Sequence, residues 1–327
     1  MRKREQVNNI PSGRPALDKT ALDKTAPYKI VAEPAVKTQG LQVSILGCGW
    51  LGRPLARRFA ASGWRVLGST TTAAKLDGLR SEGIEASLLT LNPQPSDAQV
   101  ARSLMSSPIV VVNTPPRRAG GTPAEQLENL LQAAADPPTS LSGKHVIYVS
   151  STSVYGPGQG DVDETTSPLP TEENGKKLLE AEALLRQLAE EFGFAATIVR
   201  PGGLLGWDRH PARYLAGRTG LKDPAGPINL VHGEDVCTAL FQLASVPSTG
   251  VRLFNVVANQ HPTREAFYTK ACELLGLAPA KFEKIKDAPA SDSKRVAAAK
   301  IREVTQMPFK YDDLILATKE MARQNAK

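Results

Sequence analysis

The sequence predicts an α/β fold, a doubly wound parallel sheet with a small C-terminal α/β lobe, and three observations carry that prediction. Strand-like and helix-like stretches alternate from residue 41 onward, the order required by a parallel sheet covered on both faces. One of the strand stretches, Ile109-Val110-Val111-Val112, is wholly apolar, as a strand buried on both faces must be. The first strand runs straight into a glycine turn and then a helix, VSILGCGWLGRPLA over 43–56.

Each glycine of that turn has its own physical task. Gly47 permits a tight turn off the strand, Gly49 leaves room for a pyrophosphate to approach the backbone, and Gly52 lets helix and strand pack closely. The unpaired N–H groups of the helix's first turn, with its dipole, then face the anion. Gly47, Gly49, Trp50, Leu51 and Gly52 are therefore the expected cradle of a Rossmann-type, dinucleotide-binding domain. A plain structural turn is the alternative reading.

Composition narrows the class. The chain has 327 residues, 41% of them hydrophobic, enough for a large core with an annex. It contains no apolar run long enough to span a bilayer. No apolar segment follows Arg2, Lys3 and Arg4 as a secretory leader requires, so a cytoplasmic location is expected. Three cysteines, Cys48, Cys237 and Cys272, are far apart and offer no metal spacing. Cys48 lies inside the glycine turn, where a small fitting residue and an oxidant-sensing thiolate are the two readings. The net charge of +7 is concentrated at one end: residues 1–40 hold eight Lys/Arg against four acids. Tyr28 is the lone aromatic among these residues, too few for a stacking platform, which argues against nucleic acid. With its repeat of Ala-Leu-Asp-Lys-Thr at 16–20 and 21–25, the stretch 1–40 has the composition of a disordered extension. The domain is then 41–327, with 201–232 and 258–327 expected to build most of the small lobe.

After the first strand and helix, the pattern gives strands at 64–68, 84–91, 109–112, 145–150 and 195–199. Helices are expected at 73–82, 97–104, 123–135 and 172–192. A short segment at 211–216, a strand at 228–231, a helix at 234–244 and a strand at 252–256 follow. Helices near 264–275, 293–303 and 311–322 complete the lobe. In such a sheet the cofactor lies across the carboxyl ends of the strands, so Asn113, Thr114 and Pro115, after the apolar strand, should border it, as should Ser150, Pro201 and Gly202.

The ribose end points to NADP, with NAD as the alternative. An acid about 20 residues past the first glycine would accept hydrogen bonds from the ribose hydroxyls, yet no acid occurs between Gly52 and Asp77. Ser69, Thr70 and Thr71 end the second strand instead, with Lys75 a turn later and Arg53 directly after the last glycine. Hydroxyls and cations suit a 2′-phosphate; a Ser/Thr helix cap with two solvated cations is the alternative.

A second motif follows the strand at 145–150: Val149-Ser150-Ser151-Thr152-Ser153-Val154-Tyr155-Gly156. With the glycine turn, it resembles the short-chain dehydrogenase/reductase superfamily, in its extended branch of NAD(P)-dependent epimerases and dehydratases. Val199-Arg200-Pro201-Gly202, Val231-His232-Gly233-Glu234-Asp235-Val236 and Ser293-Lys294-Arg295-Val296 extend the resemblance over most of the chain from residue 41. The phrases CGWLG, SSTSVYG, RHPARYLAG and INLVHGEDV resemble an uncharacterised bacterial group within it. The resemblance implies that Ser151 is the catalytic Ser/Thr and that the backbone from Pro201 positions the nicotinamide. It also implies a tyrosine with a lysine four residues on, whose ammonium lowers the phenol pKa. No tyrosine here has that partner; Asn174 and Leu178 stand in the two places, and Glu182 follows.

Asn is no proton donor of useful pKa. Tyr155, Lys177 and His232 are the remaining candidates, each with a bland alternative: packing, a solvated helix face and a structural imidazole. Gly203 and Ile228 replace the Asn and Arg that the resemblance expects on the nucleotide-sugar side, which disfavours a sugar-nucleotide substrate. Arg117, Arg118, Arg209, His210 and Arg213 could instead receive a small anionic carbonyl or hydroxyl substrate. An oxidoreductase or epimerase-like enzyme is the expected function, and a non-catalytic NADP sensor the alternative. The expected partners are that small molecule and, as an open alternative, a second copy of the chain in a homodimer.

Overall fold

The structure is a computed structural model that describes residues 41–91, 95–114, 121–134, 141–283, 293–306 and 308–324. In chain order its elements are β1 (Gln42–Leu46), α1 (Gly52–Ala61), β2 (Arg65–Thr70), α2 (Leu76–Arg80), β3 (Ile84–Leu88), α3 (Ala98–Met105), β4 (Ile109–Val112), α4 (Pro123–Ala134), β5 (His145–Val149), β6 (Asp161–Val162), α5 (Glu173–Phe192), β7 (Ala195–Pro201), β8 (Gly203–Leu205), α6 (Ala212–Leu215), β9 (Leu230–His232), α7 (Gly233–Ser245), β10 (Val251–Val256), α8 (Arg264–Leu274), β11 (Arg295–Val296), α9 (Ala299–Thr305) and α10 (Leu314–Gln324). The expected extension over 1–40, and Pro115, Arg117 and Arg118, lie outside the described residues.

Seven strands form one parallel sheet in the order β10-β7-β5-β4-β1-β2-β3. Val110, Val111 and Ile147, in the central strands β4 and β5, have no exposed surface, and all seven residues of β7 are buried, which is why these segments read as apolar runs rather than alternating ones. Helices α3, α4 and α5 pack side by side, while α1 packs against α7, so the sheet is sandwiched between two helical layers. The order reverses between β1 and β4, and such a switch point opens a crevice at the carboxyl ends of the strands.

A smaller apolar cluster of Leu205, Ile228, Ala258, Phe267, Tyr311, Leu314, Ala317 and Met321 builds the C-terminal lobe. The parallel pair β8–β9 and the packing of α8 on α10 and α6 frame it. Helix expected over 73–82 is shorter: a 3-10 turn at Ala73–Lys75 leads into α2, and Gly83, at φ 79°, follows. The pair β6–β11 joins two residues at 161–162 to two at 295–296, too few for a periodic signal.

Candidate functional site

The glycine turn is built as a cradle. Gly47 sits at φ 92°, and a Cβ there would lie 2.4 Å from the Asn113 carbonyl oxygen; only glycine adopts this backbone at that spacing. A Cβ on Gly52 would lie 2.1 Å from the Gly47 oxygen, so the start of α1 touches the end of β1 backbone to backbone. Gly49 is different: a Cβ there meets nothing nearer than the Gly47 oxygen at 4.0 Å. The space over Gly49 is open. Helix α1 has no side-chain cap and no acid in its first turn, and among the described residues the N–H groups of Trp50 and Leu51 have no acceptor. Uncapped donors at a helix N-terminus, beside an open glycine, fit one phosphate-bearing group.

Neighbouring strands hold this turn in place. The Gly47 N–H donates to Ser69 Oγ at 3.2 Å and the Cys48 N–H to the Ser69 carbonyl at 2.7 Å. Ser69 thus braces the turn rather than presenting its hydroxyl outward. Cys48 is buried, with Sγ filling the space that a Cβ on Gly68 would take, and burial pushes its thiol up to about 12. The packing reading fits Cys48, and a stabilised thiolate does not. Asn113 Nδ2 donates to the Gly47 oxygen at 3.4 Å, and Thr114 Oγ1 to Gln126 at 2.8 Å.

At the ribose end, Thr71 and Lys75 are exposed, while Thr70 is buried with its Oγ1 accepting the Thr72 N–H at 3.2 Å. Arg53 is not a free cation. Its guanidinium forks onto both oxygens of Glu82 at 2.9 Å, and that hydrogen bonding holds the Glu82 carboxyl below the usual carboxylate range. The sequence offered Arg53 without its partner, which arrives from 29 residues away.

Across the crevice, β7 ends at Pro201; the Gly202 N–H donates to Val256 at 3.0 Å, and a Cβ on Gly202 would lie 2.6 Å from the Asn229 oxygen. On β5, the first serine of the motif turns inward: buried Ser150 donates to Glu182 at 2.5 Å. Ser151 is half-buried and caps the 3-10 turn Thr152–Val154 by accepting the Ser153 N–H at 3.1 Å. One of its two lone pairs is engaged, and among the described residues its O–H has no acceptor. Gly175 of α5 seats this turn, since a Cβ there would lie 2.4 Å from the Ser153 oxygen.

Three proposed proton donors are placed otherwise than a donor needs. Tyr155 is 1% exposed; its hydroxyl receives Arg200 Nη1 at 2.8 Å and faces the Asp163 carbonyl and Asn255 Oδ1 at 2.7 and 3.1 Å. Burial raises its pKa, and its hydroxyl braces Arg200, Asp163 and Asn255. Lys177 is paired with Glu173 along the outer face of α5 at 3.7 Å. His232 is buried and caps α7, its Nδ1 accepting the Glu234 N–H at 3.1 Å, and burial lowers its pKa to about 4. His210 is also buried, held between the Ala212 N–H and the Thr318 carbonyl, so of the expected anion receivers among the described residues only half-buried Arg209 and exposed Arg213 have accessible surface.

Two features were missed in the sequence. One is a buried ion pair beneath the Ser151 turn: Arg200 reaches Glu182 through Nε at 3.0 Å and Nη2 at 2.5 Å. Its signal was present, since Glu182 shares the stripe of Leu178, Ala181, Leu185 and Ala189 and only a paired carboxylate belongs there. The other is Lys294, half-buried, whose Nζ donates to the Tyr155 carbonyl and whose pKa burial lowers. It brings an ammonium to the serine turn from another part of the chain.

Known proteins resemble this chain in sequence and in fold. Residues 43–218 match the model of the NAD dependent epimerase/dehydratase family. Protein YeeZ of Escherichia coli (strain K12) is 36% identical over 273 residues, 83% of this chain and 97% of that one. A functionally unknown conserved protein from Silicibacter pomeroyi superposes with a TM-score of 0.67 at 24% identity, over 86% of this chain and 98% of the other. UDP-glucuronic acid 4-epimerase from Bacillus cereus, solved in complex with NAD, gives 0.68 at 16% identity, over 87% and 97%. Among the described residues no helix is long and apolar enough to cross a membrane. By the family model and by the extent of its likeness to YeeZ, the chain belongs to the NAD dependent epimerase/dehydratase family.

Proposed function

We propose that the chain binds a nicotinamide dinucleotide over the glycine turn and acts as an oxidoreductase or epimerase-like enzyme on a small anionic carbonyl or hydroxyl compound. The observation that carries this reading is the open space over Gly49, beside the uncapped start of α1. Gly47, Gly49, Trp50, Leu51 and Gly52 would hold the diphosphate; Asn113, Thr114, Pro201 and Gly202 would border the nicotinamide half. Exposed Thr71 and Lys75, with no acid before Asp77, support NADP over NAD. Arg53 would join them only by sharing its guanidinium with Glu82.

When bound, the nicotinamide takes or returns a hydride. The chain's part is to orient and polarise. Ser151, one lone pair committed to the Ser153 N–H, directs its O–H toward a substrate oxygen. The Arg200–Glu182 pair and Lys294 hold the strand end and the outgoing turn that fix Ser151. A second reading, a non-catalytic NADP sensor, is favoured by Leu178, which is 4% exposed in the core where the resemblance sets a lysine.

Calorimetric titration with NADPH and NADH tests the cofactor, together with Gly49→Ala. A methyl there meets only the Gly47 oxygen, at an ordinary contact distance of 4.0 Å, so the variant should melt like the wild type yet bind the dinucleotide at least tenfold more weakly. Unchanged affinity would show that the ligand does not lie over Gly49. Oxidation or reduction of small carboxylated carbonyl compounds, followed by cofactor absorbance, separates enzyme from sensor.

A further inference from the structure

Between β8 and α6 the chain makes a tight turn, 206–210, closed by the Arg209 N–H donating to the Gly206 carbonyl at 2.8 Å. Trp207 stands at φ 45°, in the left-handed region that a bulky residue enters only when its surroundings hold it there. Its neighbours do hold it. The Trp207 and Trp50 rings meet edge to face with their centres 4.5 Å apart, and both rings lie on Gly233, where a Cβ would come within 2.5 Å of Trp207 and 2.9 Å of Trp50. Trp50 Nε1 donates to Asp208 Oδ1 at 2.5 Å. The Arg209 guanidinium lies over the Trp50 ring, 4.1 Å from its centre. Buried His210 anchors the end of the turn to α10 through the Thr318 carbonyl.

Trp50 belongs to the glycine turn, beside open Gly49. All three side chains of the 207–209 tip therefore converge on the residue whose N–H is a phosphate donor in the proposed cofactor site. Arg209 differs from Arg53 in a way that matters: among the described residues it forms no salt bridge. An unpaired guanidinium, stacked on an indole and half-buried, has donors left for a phosphate oxygen. We infer that the 206–210 turn is a strap of the cofactor site, with Arg209 resting on Trp50 and serving as the cation that pairs with the dinucleotide's diphosphate. The inference rests on the cofactor reading given above. It also gives the C-terminal lobe a direct contact with the cofactor.

Titration calorimetry with NADPH at two salt concentrations tests it on the wild type, Arg209→Met and Arg209→Lys. Methionine keeps a packing stem over Trp50 and loses the charge and the N–H donors of the guanidinium. Arg209→Met should weaken NADPH binding about tenfold to a hundredfold and flatten the dependence of affinity on salt, with an unchanged melting temperature. Arg209→Lys should fall between it and the wild type. If Arg209→Met binds with wild-type affinity and salt dependence, Arg209 only covers Trp50 and the strap is overturned while the cofactor reading stands. If the wild type binds no nicotinamide dinucleotide, both are overturned. Binding can also be followed by intrinsic fluorescence, because the third tryptophan, Trp64, is buried elsewhere in the core and Trp50 and Trp207 report the strap.

Discussion

Replacing Glu182 by Gln keeps the shape of a buried side chain and removes its charge, which makes it a sharp test of how the Ser151 turn is supported. Glu182 and Arg200 are 1% and 2% exposed, so water cannot compensate the guanidinium left behind. The pair is forked at 3.0 and 2.5 Å. Breaking a buried pair by neutralising one partner costs about 3–5 kcal/mol. For a chain of this size each kcal/mol moves the melting temperature by about 2–4 °C, so Glu182→Gln should lower it by about 6–20 °C. Chemical denaturation should agree, through a lower midpoint at constant slope.

The double variant Glu182→Leu with Arg200→Met removes both charges and leaves Tyr155 its partners at Asp163 and Asn255. It loses the Ser150 hydrogen bond, worth about 1 kcal/mol, yet should be more stable than the sum of its single changes predicts, by about 2 kcal/mol or more. A loss below about 1 kcal/mol for Glu182→Gln, or strict additivity in the cycle, refutes the argument.

Gly52→Ala should behave as the opposite of Gly49→Ala. Its Cβ would press on the Gly47 backbone oxygen at 2.1 Å, which no rotamer change relieves, so the melting temperature should drop in scanning calorimetry even without ligand. Acid should destabilise the fold, and the four histidines, all lowered in pKa, drive the fall while raised carboxyls such as Asp235 oppose it. Burial lowers His145 and His232 to about 4 from 6.5, so the stability they give is full above pH 6.5 and is lost as pH falls toward 4. Asp235, raised to about 6 from 3.8 by burial, acts in the reverse sense: the folded form takes up a proton first, which offsets one histidine below pH 6. Denaturation midpoints should therefore fall little near pH 7, most steeply between about pH 6 and 5, and less steeply again toward pH 4. His145→Asn, which removes one of the three buried imidazoles, should flatten the fall, and an unchanged slope counts against a neutral buried His145.

What was legible in the sequence is what short-range chemistry determines. The glycine turn could be read because its three constraints, a positive φ, an open face and a close approach, fall within six residues and are each met by a missing Cβ. The apolar β4 and the long α5 could be read because burial on both faces and a helical stripe leave periodic marks. Ser150 and Ser151 could not be told apart: adjacent residues on an extended chain point to opposite sides, and only the arrival of Glu182 on α5 decides which hydroxyl is consumed. The same holds for Arg53, whose freedom depends on Glu82, and for Trp50, whose indole is claimed by Asp208 from 158 residues away. Residue type specifies what a side chain can bond, but whether that capacity remains available depends on partners that tertiary structure supplies. Site residues are the ones for which this matters most, because a group already satisfied within the fold braces the site, and one left unsatisfied, as with the Trp50 and Leu51 N–H groups or the Arg209 guanidinium, is what a ligand can use.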